Sequence, residues 1–546
     1  HGIVQRQSYA GRLRETATCD FFIPGVIDPV TFKGGITAAP SLAKSLSYGL
    51  EYFETYPYNC VEQTLNRFLV NALLAESAGE LGLDRSELSE GLDEAIADGI
   101  EMMEGQQDES GGWPWWRGGT PSPYMTAYAL DGLYAIKDGP FLNDSLASNV
   151  DEMIETGSFY LIEYVNDLEN DPDQYDRELT LYIADVAVRR GILSPDHEVL
   201  RDTLDHYFAD RDPMSDRGLV LLGSVAYHLG DTEKVGTILR NLDNTAQVGP
   251  DQTMHWGKSS DECWRWWQDG VETTAEVLDL KMSAQPESDQ IPYMVDWLVD
   301  QRRGAAWKST KDSAEVTKAL MRYLINYPEL SNPIVLTYLL NEASGGLTLD
   351  PRAYENPDET AEFSADDIVE GYNALTLTRY IGGGPVFYTV ELEYYTETED
   401  IPAVQGSVTL ERNYYIIERY KKKGRMEERR IPLDRPLKVG EEMEVEVIVN
   451  SPYDFDYVML EDPRPAGCIY TETESGYRSW INGYVELRTE KRVVFFEKLR
   501  RGETEFSYRL KAEVPGDYAA LPATIMGMYS PDIGSNTASM RVEVIE

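Results

Sequence analysis

The stretch "YPYNCVEQTLNRF", residues 56–68, decides how the rest of the chain is read. Asn59 suits a helix N-cap, which leaves Cys60 on the first turn of the helix that follows. Unsatisfied backbone N–H groups and the positive end of a helix favour thiolate over thiol at such a position. Gln63 lies three residues on, hence on the same side of that turn. A thiolate held against a carboxamide carbon can displace ammonia and leave an internal thioester. That bond is a strong acyl donor, because a thiol of pKa about 8.5 departs far more easily than an amine. It survives only where water is excluded. Tyr56 and Tyr58 offer aromatic cover of about 150–250 Å² each. Taken alone, the motif leaves a second reading open, since a cysteine on an apolar helix is more often an inert core residue.

Helical periodicity starts abruptly after Pro40. Leu42, Leu46, Leu50 and Phe53 form one stripe; Val61, Leu65, Phe68, Leu69 and Leu73 form the next. The pattern runs to about Tyr327, where Pro328 stops it, and is broken by polar loops such as "NDPDQYD" and "SAQPESD". It predicts about a dozen helices. "MTAYALDGL", "ELTLYIADVAV", "RGLVLLGSVAYHLGD", "ETTAEVLDL" and "DSAEVTKAL" share Thr, Ser or Gly ahead of an apolar stripe. A recurrence of roughly 35–55 residues marks helical hairpins that must stack to bury their faces, and about six can close into a double-layered ring.

The flanks read differently. Residues 1 to about 38 are extended, with "FFIPGVIDPVTFKGGITAAP" setting β-formers between Pro and Gly. After Pro328, "GGLTLDP", "YNALTLTRYI" and "PVFYTVELEYYT" are strand-like, and from about 401 "MEVEVIVN" and "FSYRLKAEV" alternate cleanly. That end predicts a β-sandwich of about 145 residues. The one basic run, "RYKKKGRMEERR" (419–430), sits at a glycine turn and reads as a solvated hairpin tip.

Composition narrows the partners. The 546 residues suffice for about three to four domains. With 49 basic against 95 acidic residues the net charge is -46, which repels nucleic acid phosphates and anionic membrane surfaces. No apolar run is long enough to span a bilayer. The chain starts at His1 with no charged-then-apolar leader, as expected for a piece of a longer protein. Cys19, Cys60, Cys263 and Cys468 are far apart and predict free thiols. No CxxC or HxxxH pair marks a metal site; Asp261 and Cys263 near His255 come nearest.

"YPYNCVEQTLNRF" resembles the thioester segment of the alpha-2-macroglobulin family, whose motif is Cys-x-Glu-Gln and whose bacterial members carry Tyr-Pro-Tyr in front. "SGGWPWWRGG", "YMTAYALDGL" and "AAWKSTKDSAEVTKAL" resemble the family's thioester domain. "DPRPAGC" (462–468) and "VVFFEKLRRGETEFSYRLKAEVPGDYAALPATIMGMYSPD" (493–532) resemble the last β-sandwich of the bacterial members. The resemblance implies a multidomain α and β protein: an α/α toroid of about six helical hairpins, inserted in a small β-domain and followed by a C-terminal macroglobulin-like β-sandwich. Its boundaries fall at 1–38 and 331–400 for the small CUB-like β-domain, 39–330 for the thioester domain and 401–546 for the sandwich.

By the same resemblance, Cys60 is the thiol partner and Gln63 the acyl partner. Tyr56, Tyr58, Asn59 and Glu62 belong to the motif and its shield, and Met528 and Tyr529 are expected to cover the bond. Asn59 stands where the family usually has Gly; Asn tolerates left-handed backbone, so the turn survives. The family traps proteases: cleavage of a bait segment, expected upstream of residue 1, bares the thioester, which acylates a lysine of the attacker. No cofactor or metal is implied, because the thioester is self-formed. The implied partners are target proteases and the parent's upstream macroglobulin domains, in the periplasm, at the cell envelope or outside the cell.

Two other classes share parts of this pattern. A covalent adhesin would share the chemistry of Cys60. A terpene cyclase or prenyltransferase would share the ring and its Gly-Gly-Trp turns, but no Asp-x-Asp-Asp motif is present, and no histidine follows Cys263. In the complement branch a histidine in the ring directs the acyl group to hydroxyls. The corresponding stretch here, "NDPDQYDRELTLYIADVAV" (170–188), has none, which leaves His255 as the one candidate.

The lid expectation is directly testable. Tyr529→Ala should speed spontaneous thioester hydrolysis at unchanged fold, read by intact mass over time; an unchanged lifetime would move the cover to the Trp113, Trp115 and Trp116 group.

Overall fold

The computed structural model describes residues 3–23, 25, 27–47, 53, 57–81, 92–169, 171–249, 252–257, 270–304, 306–327, 333–350, 359–396, 401–423, 425–530 and 533–546. One compact unit comprises Val4–Ser259 and Gln268–Tyr395; the other is built on Thr396–Glu546. Each is described by itself.

The first unit opens with β1 (Ile3–Leu13), β2 (Thr16–Ile23) and β3 (Lys33–Ala39). Strand β2 alternates as a half-buried strand should: Cys19, Phe21 and Ile23 point inward, while Asp20 and Phe22 face out.

Helices then take over, starting with the short α1 (Leu42–Ser47), α2 (Val61–Leu81), α3 (Leu92–Gln106) and α4 (Pro123–Ile136). They continue with α5 (Asp144–Asp167), α6 (Arg177–Arg189), α7 (Glu198–Ala209), α8 (Asp216–His228) and α9 (Thr232–Thr245). A small hairpin, β4 (Gln247–Val248) and β5 (Met254–His255), precedes α10 (Gly270–Ala284), α11 (Ile291–Asp300) and α12 (Thr310–Asn326). Side-chain oxygens start many of them: Ser122, Asn143, Asp176, Ser215, Asp231 and Ser309 each accept a first-turn backbone N–H.

The helices sort into two layers by burial. Helix α9 buries only Val235, Ile238, Leu239 and Leu242, a single stripe at i, i+3, i+4 and i+7. Helix α4 buries every residue from Tyr124 to Leu133. Such a helix needs neighbours on all sides, and the packing supplies them. Helix α2 packs on α4, α4 on α6, α6 on α8, α8 on α10, α10 on α12, and α12 returns to α2. The circuit closes on itself. Helices α3, α5, α9 and α11 each lean on the inner helix that precedes them in the chain, and α7 on α8.

One device recurs around the circuit. The indole N–H of Trp113 donates to the carbonyl of Met103 near the end of α3 (2.9 Å), and its backbone N–H donates to Thr126 Oγ1 in α4 (2.9 Å). Trp256 does the same between Leu242 of α9 (2.6 Å) and Thr274 of α10 (3.1 Å). Trp307 does so between Leu298 of α11 (2.7 Å) and Ser313 of α12 (2.9 Å). Each Trp satisfies a carbonyl at the end of an outer helix and ties its own loop to the next inner helix. This is the physical content of the Ser/Thr theme that precedes the apolar stripes.

After the helices come β6 (Ile334–Leu340), β7 (Ala343–Leu349), β8 (Thr360–Phe363), β9 (Gly371–Ile381) and β10 (Val386–Thr396). They pair back onto the opening strands, in the sheets β1-β10-β3-β8 and β2-β9-β6-β7. Ala39 lies opposite Phe387, and Cys19 opposite Leu375. Leu13, Phe21, Ile36, Leu336, Leu375 and Val390 share one apolar core. All the helices therefore leave from β3 and return at β6.

The second unit carries β11 (Thr409–Lys422), β12 (Arg425–Pro432), β13 (Leu437–Lys438), β14 (Glu442–Ser451), β15 (Phe455–Pro463) and β16 (Cys468–Tyr470). Next come β17 (Gly476–Arg478), β18 (Gly483–Leu487), β19 (Lys491–Leu499), β20 (Gly502–Ala512), β21 (Gly516–Ala520), β22 (Thr524–Gly527), β23 (Gly534–Asn536) and β24 (Met540–Ile545). The sheets β12-β11-β14-β20-β16 and β17-β18-β19-β15-β22-β23 enclose Val445, Val447, Val449, Val458, Leu460, Val494 and Phe496. The basic run forms the β11–β12 hairpin, Lys422 opposite Arg425. Its arginines pair with glutamates: Arg419 with Glu428 at 2.9 Å, and Arg430 with Glu446.

The Trp device makes a stability prediction. Trp256→Phe removes the shorter of two hydrogen bonds to the Leu242 carbonyl, leaving the Thr245 hydroxyl at 3.2 Å, and should cost about 0.5–1.5 kcal/mol of stability. Urea unfolding of the variant beside the parent measures it.

Candidate functional site

Helix α2 begins one residue later than the sequence suggests. The carbonyl of Cys60 accepts the N–H of Thr64 (2.8 Å), so Cys60, not Asn59, occupies the N-cap. Asn59 is exposed, and its carbonyl accepts Gln106 Nε2 at 3.1 Å. A cysteine takes the cap because its sulfur can do what a serine oxygen does: the backbone N–H groups of Gln63 and Glu62 both donate to it. Gln63 becomes N3, and its side chain reaches back so that the Cys60 N–H donates to Oε1 at 3.3 Å. This is capping-box geometry, which normally joins Ser or Thr to Glu or Gln. It explains the three-residue spacing: a residue at N3 folds over the residue at the cap.

The expected thiolate is not what this environment favours. Burial pushes the Cys60 thiol well above its ordinary pKa, the charge of Glu62 adds to that, and the two backbone N–H donors offset only part. Cys60 and Glu62 are both 0% exposed. Complete loss of water penalises the anion more than a helix end rewards it. Cys60 is a buried thiol, and its S–H donates to Glu62 Oε2 at 3.9 Å.

Glu62 is the residue whose part the sequence leaves blank. Its Oε1 accepts Asn66 Nδ2 (2.5 Å) and Thr310 Oγ1 (2.8 Å), and Asn66 Oδ1 accepts the Tyr128 hydroxyl (3.0 Å). Asn66 stands at i+4 from Glu62, a helical neighbour legible in the sequence. Thr310 comes from α12, about 250 residues away, and Tyr128 from α4; closure of the helix circuit brings them in.

Aromatic side chains wall this helix start. Val61 N–H donates to the carbonyl of Trp115 (3.0 Å). The Trp115 ring stacks on Tyr124 at 6.1 Å, and Tyr124 stacks on Tyr182 at 5.0 Å. Trp113, Trp115, Trp116 and Tyr58 are all buried. Lys311 lies 5.7 Å over the Tyr124 ring and pairs with Glu272, which Arg217 also holds at 2.8 Å. Desolvation pushes Glu276, beside Arg217, up to about 7.

Tyr56 lies outside the described residues, as do Asp261 and Cys263. Among the described residues no cluster of metal-ligating side chains occurs, and Cys19, Cys60 and Cys468 are free, buried thiols. His255 stacks on Trp297 of α11, with ring centroids 4.4 Å apart, and burial lowers its pKa. Met528 and Tyr529 belong to the second unit. There Met528 N–H donates to the Tyr457 carbonyl (2.9 Å), and the buried Tyr529 meets the Tyr457 ring edge-on at 5.9 Å.

The chain resembles known proteins in sequence and in fold. Residues 408–532 match the family described as Bacterial Alpha-2-macroglobulin MG10 domain. The chain is 23% identical over 297 residues to the alpha-2-macroglobulin homolog of Nostoc sp., across 52% of this chain and 15% of that protein. It is 30% identical over 157 residues to the alpha-2-macroglobulin of Thermotoga maritima, across 28% of this chain and 10% of that protein. The alignments thus span a small part of either relative. Native alpha-2-macroglobulin from Escherichia coli, solved from domain MG7 to the C-terminus, superposes with a TM-score of 0.71 at 19% identity, covering 100% of this chain and 82% of that one. Salmonella alpha-2-macroglobulin reacted with methylamine gives 0.68 at 19%, covering 99% and 34%. At that identity the superpositions speak for the fold. The family match and the sequence relatives show that the chain belongs to the bacterial alpha-2-macroglobulin family.

Proposed function

We propose that this chain carries the covalent end of a protease trap, with Cys60 and Gln63 joined as a thioester that a lysine amine of the target attacks. The observation that carries this reading is the buried capping box: Cys60 N–H on Gln63 Oε1 at 3.3 Å, with the sulfur at the same helix start and closed off from water. We read the closed circuit of helices as the α/α toroid that presents the bond.

The chemistry follows from the positions. Attack on the Gln63 carbonyl builds negative charge on its oxygen, and the Cys60 N–H at a helix start is already aimed there. The sulfur then leaves as the weaker base. The Gln63 acyl group ends as an amide on the target's lysine, and Cys60 regains a thiol. Burial protects the bond beforehand, so reaction waits on exposure. The trigger and bait belong to the whole protein, of which this chain spans a part, and the proposed setting is the periplasm or cell envelope. Among the described residues no helix is long and apolar enough to cross a membrane.

Two outcomes are expected. Fresh protein should weigh one ammonia less than its sequence, with Cys60 closed to alkylation. Methylamine should add to Gln63 and free the thiol. A full sequence mass with Cys60 already alkylatable would count against an assembled bond.

The nucleophile preference is the second. Amines attack without help, whereas hydroxyls need a base or an acyl-carrying imidazole. His255, the candidate for that task, is stacked on Trp297. Methylamine should therefore be incorporated far faster than glycerol at equal concentration. Comparable incorporation would sink this, and loss of the glycerol product in His255→Ala would name the missed catalyst.

A further inference from the structure

The thioester reading leaves a chemical gap: a buried, protonated thiol does not attack a carboxamide. Something within reach must take its proton. Among the described residues around Sγ, the structure puts one carboxylate there, Glu62 Oε2 at 3.9 Å, on a side chain with no exposed surface. Its other oxygen is held by Asn66 and Thr310 at 2.5 and 2.8 Å, which aims Oε2 at the sulfur. A carboxylate kept only to start a helix would face the solvent and the exposed N–H groups. This one turns inward and is braced from two helices.

Resting on the thioester reading above, we propose that Glu62 is the base that assembles the bond, with the Cys60 N–H as oxyanion donor. Glu62 takes the S–H proton. The sulfur electron pair forms the bond to the Gln63 side-chain carbonyl carbon, and charge collects on Oε1, which the Cys60 N–H holds. As the tetrahedral centre collapses, the C–N bond breaks and the protonated Glu62 returns the proton to the departing nitrogen. Cys–SH and Gln–CONH2 become the thioester and NH3, and Glu62 ends as it began. No cofactor, oxidant or second protein enters the balance. The Glu of the motif thereby acquires a chemical task beside its place in the first turn.

The test compares the parent chain with Glu62→Gln, following intact mass and Cys60 alkylation from the moment of synthesis. The amide oxygen of E62Q can still accept Asn66 and Thr310, so packing is retained while the base is lost. E62Q should lose ammonia about 100-fold more slowly or worse, the range that one general base supplies, at a melting temperature close to the parent's. Equal rates in both proteins overturn the proposal. A second measurement needs only the parent: with an internal base, the rate of ammonia loss stops rising with pH once Glu62 is ionised, because the proton passes from sulfur to Glu62 without visiting solvent. A rate that keeps climbing about tenfold per pH unit up to about pH 8, with no levelling, overturns it too, since thiolate made by hydroxide would do the work. A parent chain that keeps its full mass and takes up no methylamine is a different result: it removes the thioester reading itself.

Discussion

The candidate site turns on a single backbone N–H, that of Cys60. It is one of the orphan donors that every helix start must satisfy, and it finds the Gln63 carboxamide three residues on. The bond costs the fold nothing it would not need anyway. It also brings the Gln63 carboxamide back to the helix start that carries the Cys60 sulfur. In the proposed function, ordinary helix capping is the positioning device for an acyl transfer.

That device works only if the helix start is dry, and dryness is a property of the whole circuit of helices. Helix α2 buries Val61 through Asn66 without interruption, polar residues included. A helix so buried must have every polar group matched. Thr310 matches Glu62 and Tyr128 matches Asn66, and they arrive because α12 and α4 both pack on α2. The Trp loops hold the circuit in register by closing outer-helix carbonyls onto the next inner helix. Packing and chemistry therefore share residues, and the buried polar network around Glu62 belongs to both.

The opposing electrostatics at Cys60 show which effect wins. A helix N-terminus is worth about 0.3–2 kcal/mol to an anion, whereas full burial of an ionised group costs several. Glu62 sits close enough to add repulsion. A free thiolate is therefore the less stable form here, and a neutral thiol or a neutral thioester suits the cavity. The same arithmetic would let the proposed thioester be stored, since the nucleophiles that open such a bond are polar or charged and are disfavoured in a buried site.

Much of this was legible in the chain alone. Period 3.6 after Pro40, period 2 after about 401 and the Cys-x-Glu-Gln spacing are local signals, set by residues a few positions apart. They determined where helices and strands form, and which thiol and carboxamide share a turn. The sequence misplaced the cap by one residue because Asn is the commoner cap, and only the Thr64 N–H on the Cys60 carbonyl decides between them. It also misjudged the thiol's charge, because desolvation depends on what covers a residue, not on what precedes it. The part played by Glu62 was beyond it altogether. Thr310 and Tyr128 reach Glu62 and Asn66 through contacts between helices 62 to 248 residues apart in the chain, and such contacts exist only once the circuit closes.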